Sequence, residues 1–282
     1  MATAEHRHQA PIRLESLEVL FEVPSLIHVA GREERGTFTI MSCRSAEREV
    51  TSYFLSVCEA ILHRLGASPG TAEIANAVNR LAFIFRKLQQ LPVRSINGLF
   101  GELFFIRQSR NPTFALTSWR VEQTSRFDFS TGDIRIDVKT ASGRSRTHSF
   151  SFDQCNPPAG TVAVVASLFV ERASGGISIH EIVKEIEQHC AASPDLLIRL
   201  HDVLAETIGA ALPEALASRF DRKLAETTLQ FYDFREVPAI RGDPPAGVTE
   251  VHFRSDLSSV RPATVERLIE REPVIEQLLP ES

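Results

Sequence analysis

The stretch Arg126-Phe127-Asp128-Phe129-Ser130-Thr131-Gly132-Asp133-Ile134-Arg135-Ile136-Asp137-Val138-Lys139 constrains this chain more than any other. Apolar and polar residues alternate on both sides of a Ser-Thr-Gly-Asp turn signal, which predicts a tight β-hairpin. Side chains on a strand alternate faces. With Thr131-Gly132 as a two-residue loop, Asp128 faces Arg135 and Arg126 faces Asp137. Asp128, Asp137 and Lys139 then share one face, and Phe127, Phe129, Ile134, Ile136 and Val138 share the other. One side of the hairpin can enter a core while the other presents two carboxylates and an amine. That constellation suits a divalent-metal hydrolytic site.

At 282 residues the chain can hold one large domain or two smaller ones. Its 43% hydrophobic and 24% charged residues are those of an ordinary soluble globular protein. A net charge of −5 argues against nonspecific coating of nucleic acid over the whole surface, but is compatible with a local basic cleft. Cys43, Cys58, Cys155 and Cys190 are far apart and lack CxxC spacing, so neither a zinc site nor a disulfide framework is indicated. The start is polar through His8, and no run has the length of a membrane span, so a cytoplasmic protein is expected.

Alternation predicts strands over residues 12–23, 26–30 and 37–43, with a charged turn at 31–36. Helical spacing predicts helices over 46–65, capped by Ser45, and over 71–91. The next helix, 98–108, opened by Ser95 or Asn97, is apolar on nearly every side, so it should be buried with Glu102 inside it. A carboxylate there must be paired, protonated or metal-bound. Gly98 and Gly101 would let that helix approach a sheet closely. Residues 113–121 read as a loop or short strand around Trp119. Ser151 or Asp153 can cap a short helix near Gln154, and the β-branched run 161–171 reads as a central strand. A hairpin turn at Gly175-Gly176 leads to a helix ending near His189, and another starts at Pro194. Late strands are expected over 224–237 and 248–253, then a last helix from Pro262 to Leu279.

Metal-assisted hydrolysis of a phosphodiester needs hard oxygen ligands with open positions for phosphate and water, and a cation to orient that water. Asp128 and Asp137 can be the ligands, with the Val138 backbone carbonyl beside them, and Lys139 the cation. Glu102 is a third carboxylate able to reach the metal or its water shell. The competing reading is an exposed face of cross-strand Asp–Lys and Asp–Arg pairs, each worth only about 0.2–1 kcal/mol. Arg144, Arg146 and His148 form a basic run directly after the hairpin that can contact phosphate or be a solvated loop. His148 can also assist proton transfer, and Gln154 can border the site.

Glu102, then Asp128, then Asp137-Val138-Lys139 resembles the PD-(D/E)XK nuclease superfamily, the restriction-endonuclease-like fold. The flanks around Gly98–Leu103, Phe127–Phe129, Val138–Thr140, His148–Ser151, Leu229–Asp233 and Val237-Pro238 resemble an uncharacterised bacterial branch linked to restriction and phage-defence loci. Arg126-Phe127 precede Asp128 where the superfamily name has a proline, a departure common among its members. The resemblance implies an α/β (mixed α+β) restriction-endonuclease-like core, with a central mixed sheet flanked by helices, over residues 95–190. An N-terminal α+β module would span 1–94 and a C-terminal helical and strand region 191–282. It further implies a Mg2+-dependent endonuclease acting on DNA, with Mn2+ as a substitute, in restriction-modification or phage defence. Asp128, Asp137, the Val138 carbonyl and Glu102 would hold metal, and Lys139 would position water. A homodimer or partner proteins of a defence system fit this reading, though no residue argues for either. The rivals are an inactive DNA-binding or structural subunit with the same fold, an RNA or branched-DNA substrate, and a protein unrelated to nucleic acid with a chance Asp-x-Lys.

Overall fold

The structure, a computed structural model, describes residues 10–121, 126–143, 145–242 and 244–281. Two compact units divide the chain: Met1–Val93 with Leu204–Pro213, and Arg94–Val203 with Glu214–Ser282.

In the first unit, β1 (Ile12–Arg13), β2 (Leu17–Val29) and β3 (Arg32–Cys43) form an antiparallel sheet in the order β1-β2-β3. The strands expected at 12–23 and 26–30 merge over residues 17–29 into β2, with a bulge between Leu20 and Val23, where Glu22 takes a φ of 52°. The turn is shorter than the charged run suggested. Ala30 and Gly31 both have positive φ, as a two-residue I′ loop requires, and β3 starts at Arg32. Helices α1 (Arg48–Leu65) and α2 (Thr71–Lys87) bury the expected stripes, Val50, Phe54, Val57 and Ile61 on one and Val78, Leu81 and Phe85 on the other. Gly66 stops α1 with a φ of 70°.

The second unit opens with α3 (Ile96–Gln108) and α4 (Pro112–Ser118). Ser95 caps α3 by accepting a hydrogen bond from Gly98 N at 3.1 Å. The loop or strand expected at 113–121 is instead mostly α4. Asn111 caps it through Phe114 N, and Pro112 occupies the first turn, where its missing N–H costs nothing. Then come β4 (Phe129–Thr131), β5 (Ile134–Ala141), β6 (Thr147–Ser151), the short α5 (Phe152–Cys155), β7 (Val162–Phe169) and β8 (Arg172–Ser178). Along the chain follow α6 (Ile179–His189), α7 (Pro194–Ile208) and α8 (Leu212–Ala217), of which residues 204–213 belong to the first unit, and then, in the second, β9 (Arg219–Phe220), α9 (Arg222–Thr228), β10 (Gln230–Asp233), β11 (His252–Asp256) and α10 (Val265–Arg271).

The central sheet runs β10-β7-β5-β4. β5 and β7 are parallel, and the two edge strands are antiparallel to them. This is the mixed sheet flanked by helices that the sequence predicts. β7 is central and buried along its length to Leu168, as its β-branched run implied. Three late expectations are corrected. Residues 222–228 are helical and the strand is confined to 230–233, because Asp221 caps a helix through Leu224 N. The strand expected over 248–253 runs over 252–256, paired with β6. The last helix stops at Arg271 and gives way to a 3-10 helix over Pro273–Leu278, because Pro273 has no N–H to continue the ladder.

Gly101 explains how α3 meets the sheet. A Cβ built there would lie 2.4 Å from Thr140 Cγ2 and 3.4 Å from Val138 Cγ1, so only glycine allows this approach. Gly98 has no such neighbour; its Cβ would meet only the Ser95 hydroxyl, at 3.3 Å. The aromatic core closes around the site from beneath, with Phe105 against Phe129 at 4.8 Å and Phe127 edge-on to Phe234 at 5.6 Å.

Candidate active site

The hairpin forms with a different register from the expected one. Phe129 pairs with Ile136, Ser130 with Arg135 and Thr131 with Ile134, leaving Gly132-Asp133 as the loop. Gly132 supplies the positive φ (49°) that a II′ turn needs at its first central position. The slip is two residues, so every side chain keeps its predicted face, but the cross-strand neighbours change. Continuing the observed register sets Asp128 opposite Asp137 rather than Arg135. The two carboxylates become direct neighbours. Arg126 pairs instead with Asp153, at 3.4 Å.

Both aspartates are buried, at 2% and 1% exposure. Each has one oxygen fixed and one left over. Val138 N donates to Asp128 Oδ2 at 2.8 Å, and Gln154 Nε2 donates to Asp137 Oδ1 at 2.9 Å. Asp128 Oδ1 is buried without a hydrogen-bond donor, whereas Asp137 Oδ2 meets the Lys139 ammonium. A buried oxygen such as Asp128 Oδ1 costs about 1–3 kcal/mol when nothing compensates it. Lys139 Nζ is 2.8 Å from Asp137 Oδ2, an ion pair at hydrogen-bonding distance. Burial disfavours its charge, but Asp137, and then Asp128, outweigh burial and hold its pKa above the usual lysine value. Asp128 is held well above the carboxylate range, first by burial, then by the charges of Glu102 and Asp137, against the opposing pull of Arg94 and Arg120.

Glu102 is buried in α3 as expected, and both its oxygens are engaged. Arg120 grips it bidentately, Nη2 to Oε1 at 2.6 Å and Nε to Oε2 at 2.8 Å, and Trp119 Nε1 donates to Oε2 at 2.7 Å. Arg199 in turn donates to the carbonyls of Leu116, Thr117 and Trp119, closing the end of α4. Among the described residues no group of three or more His, Cys, Asp or Glu side chains stands ready to hold a metal ion. Of these carboxylates, Asp128 keeps one oxygen without a donor, and Asp137 turns its second oxygen to Lys139. A strand residue directs its N–H and C=O to the same edge, so the Val138 carbonyl faces the Asp128 side together with the N–H that binds it.

Gln154 lies at the site, fixed by a capping box with Ser151 and by a 2.7 Å bond from its Nε2 to Arg126 O. His148 and Arg146 sit deeper than a solvated loop would. His148 Nε2 is 2.8 Å from Ser167 Oγ, and Ser167 is the β7 residue paired with Lys139. Burial, then Lys139 and Arg146, lower the imidazole pKa to about 4. Arg146 donates to Ser167 O, Ser167 Oγ and Thr228 O, and lies over the Phe169 ring. Its guanidinium bonds protein on both arms. Arg144 lies outside the described residues. The sequence did not single out Arg120 or Ser167, nor Arg94, whose Nη2 is 3.7 Å from Asp128 Oδ1.

A family model described as "Putative PD-(D/E)XK family member, (DUF4420)" matches residues 2–258. The chain belongs to this family. The match covers the helix glutamate, the aspartate pair and Lys139 of this PD-(D/E)XK chain, together with most of both its compact units. Searches of curated proteins and of solved structures gave no match. No described helix of the PD-(D/E)XK chain is long and apolar enough to cross a membrane.

Proposed function

We propose that this protein is a divalent-metal-dependent nuclease that hydrolyses DNA phosphodiester bonds, with Mg2+ as its cation and Mn2+ as a substitute, in restriction-modification or phage defence. One observation carries the reading. Two adjacent buried aspartates each spend one oxygen on a fixed donor; of the two that remain, Asp128 Oδ1 has no donor and Asp137 Oδ2 meets only the Lys139 ammonium. Two such carboxylates repel each other, and burial strengthens the repulsion. A hard divalent cation relieves it and takes oxygen ligands by preference. Family membership supports the same reading, because PD-(D/E)XK proteins are nucleases as a class.

Asp128, Asp137 and the Val138 carbonyl would hold the cation. When bound, it supplies a lowered pKa for its water and charge stabilisation at the scissile phosphate. The remaining work falls to the chain. Val138 N and Gln154 fix the rotation of the two carboxylates, so Asp128 Oδ1 and Asp137 Oδ2 are aimed before the cation arrives. Lys139, held charged by the aspartates, orients the attacking water and screens negative charge as it develops. Glu102, with both oxygens on Trp119 and Arg120, ties α3 to the segment that follows α4 instead of ligating directly. His148, neutral near pH 7, accepts or shares a hydrogen bond with Ser167 and supports β7 beside Lys139.

The test is cleavage of labelled duplex, single-stranded and branched DNA, and of RNA, by the full chain with Mg2+ or Mn2+. Wild type should nick DNA, and Asp137→Asn and Lys139→Ala should each lose about a hundredfold or more, the scale on which removing a transition-state charge partner acts. If wild type cuts none of the four substrates under either metal, the enzyme reading fails and the inactive DNA-binding subunit takes its place.

A further inference from the structure

Resting on the cation site just proposed, we infer that Arg94 is a movable counter-ion, neutralising the Asp128–Asp137 pair while no metal is bound and transferring to a substrate phosphate when metal displaces it. The residue immediately precedes the Ser95 cap of α3. A cation there is opposed by the positive end of the helix dipole, so helix stability does not account for it. Its guanidinium points at the one oxygen of Asp128 that has no donor, yet stops 3.7 Å short, beyond hydrogen-bonding distance. Its side chain is 43% exposed while Asp128 is 2% exposed, so it spans from solvent to the buried carboxylate. Arg120, the other arginine near the pair, is clamped on Glu102 and cannot make this exchange. Lys139 is tied to Asp137. Arg94 is thus the cation at the pair with both a loose contact and a path outward. A planar guanidinium released there can take two phosphate oxygens at once.

The experiment measures Mn2+ affinity by electron paramagnetic resonance for the full-length wild type, Arg94→Ala, Arg94→Lys and Asp128→Asn. The same proteins are titrated with a phosphorothioate DNA duplex that resists cleavage, with and without Mn2+. Removing a half-exposed competing charge should tighten Mn2+ binding by about two- to fivefold in Arg94→Ala. Arg94→Lys should keep a Mn2+ affinity near wild type, but show a smaller Mn2+-dependent gain in duplex affinity because an ammonium cannot take two phosphate oxygens at once. Mn2+ should raise duplex affinity in wild type and do so at least about threefold less in Arg94→Ala, with the salt slope reduced by about one. A merely structural Arg94 would not link the two titrations. If Arg94→Ala binds Mn2+ no tighter, or gains duplex affinity with Mn2+ as wild type does, while Asp128→Asn loses Mn2+, the counter-ion role is overturned and the cation site stands. If wild type binds Mn2+ no better than Asp128→Asn, both are overturned.

Discussion

Gly101→Ala tests how α3 is seated, and its cost follows from the geometry. The new methyl would sit 2.4 Å from Thr140 Cγ2, where ordinary carbon contacts are about 3.5–4.0 Å, so roughly 1 Å of separation must be created. Thr140 is β-branched and stiff at χ1, and it belongs to β5, so it gives way poorly. Overpacking of this kind costs about 1–3 kcal/mol. Alanine returns about 1 kcal/mol of helix propensity, leaving a net loss of up to about 2 kcal/mol. Thr140→Ser removes the clashing atom itself, and the nearest remaining contact is then Val138 Cγ1 at 3.4 Å. The double variant should therefore recover most of the loss, a coupling of about 1 kcal/mol or more. Urea unfolding followed by Trp119, the single tryptophan and fully buried in this unit, reads the effect locally. A double variant that shows no favourable coupling between Gly101→Ala and Thr140→Ser refutes the close approach of α3 to β5.

Glu102→Gln should destabilise the same unit by about 2–3 kcal/mol, because a charge-assisted fork to Arg120 is lost; Trp119 fluorescence in urea measures it. Trp119→Phe should cost about 2–3 kcal/mol, from the lost bond to the Glu102 carboxylate and the cavity left in a fully buried site, and a loss under about 1 kcal/mol would contradict the bonding described. His148 gives a pH signature. Its folded pKa of about 4 lies below the usual 6.5, so the unfolded chain binds more protons between those values. Stability should fall as pH drops from 6.5 toward 4, by up to about 3 kcal/mol from this residue. His148→Gln should remove that share of the slope in urea titrations across pH, and an unchanged slope would show that His148 is not held neutral.

Much of the site could be read from residue order because strand periodicity is rigid. The parity of Asp128, Asp137 and Lys139 survives any slip of two residues, so the shared face was legible even though the register was not. The register turned on Gly132 taking the first central position of the loop rather than the second, a choice the Ser-Thr-Gly-Asp signal leaves open. Burial of Glu102 followed from the apolar surroundings in α3, but its partners did not. Trp119 and Arg120 lie 17 and 18 residues on, and only the α4 turn set by Asn111-Pro112 brings them back. Arg146 read as a surface cation because its neighbours are polar; strand β6, paired with the distant β11, buries it. The clash of Arg94 with the α3 dipole was a signal available in the sequence, since a cation at a helix start lacks a local reason.

Asp128 Oδ1 and Asp137 Oδ2 are proposed to hold one divalent cation between them. Anomalous diffraction from crystals grown with Mn2+ tests it most directly. A peak within coordination distance, about 2.0–2.6 Å, of Asp128 Oδ1, Asp137 Oδ2 and the Val138 carbonyl is the expected result. A saturating soak that leaves the pair without a peak, with Lys139 still bridging to Asp137, would contradict it.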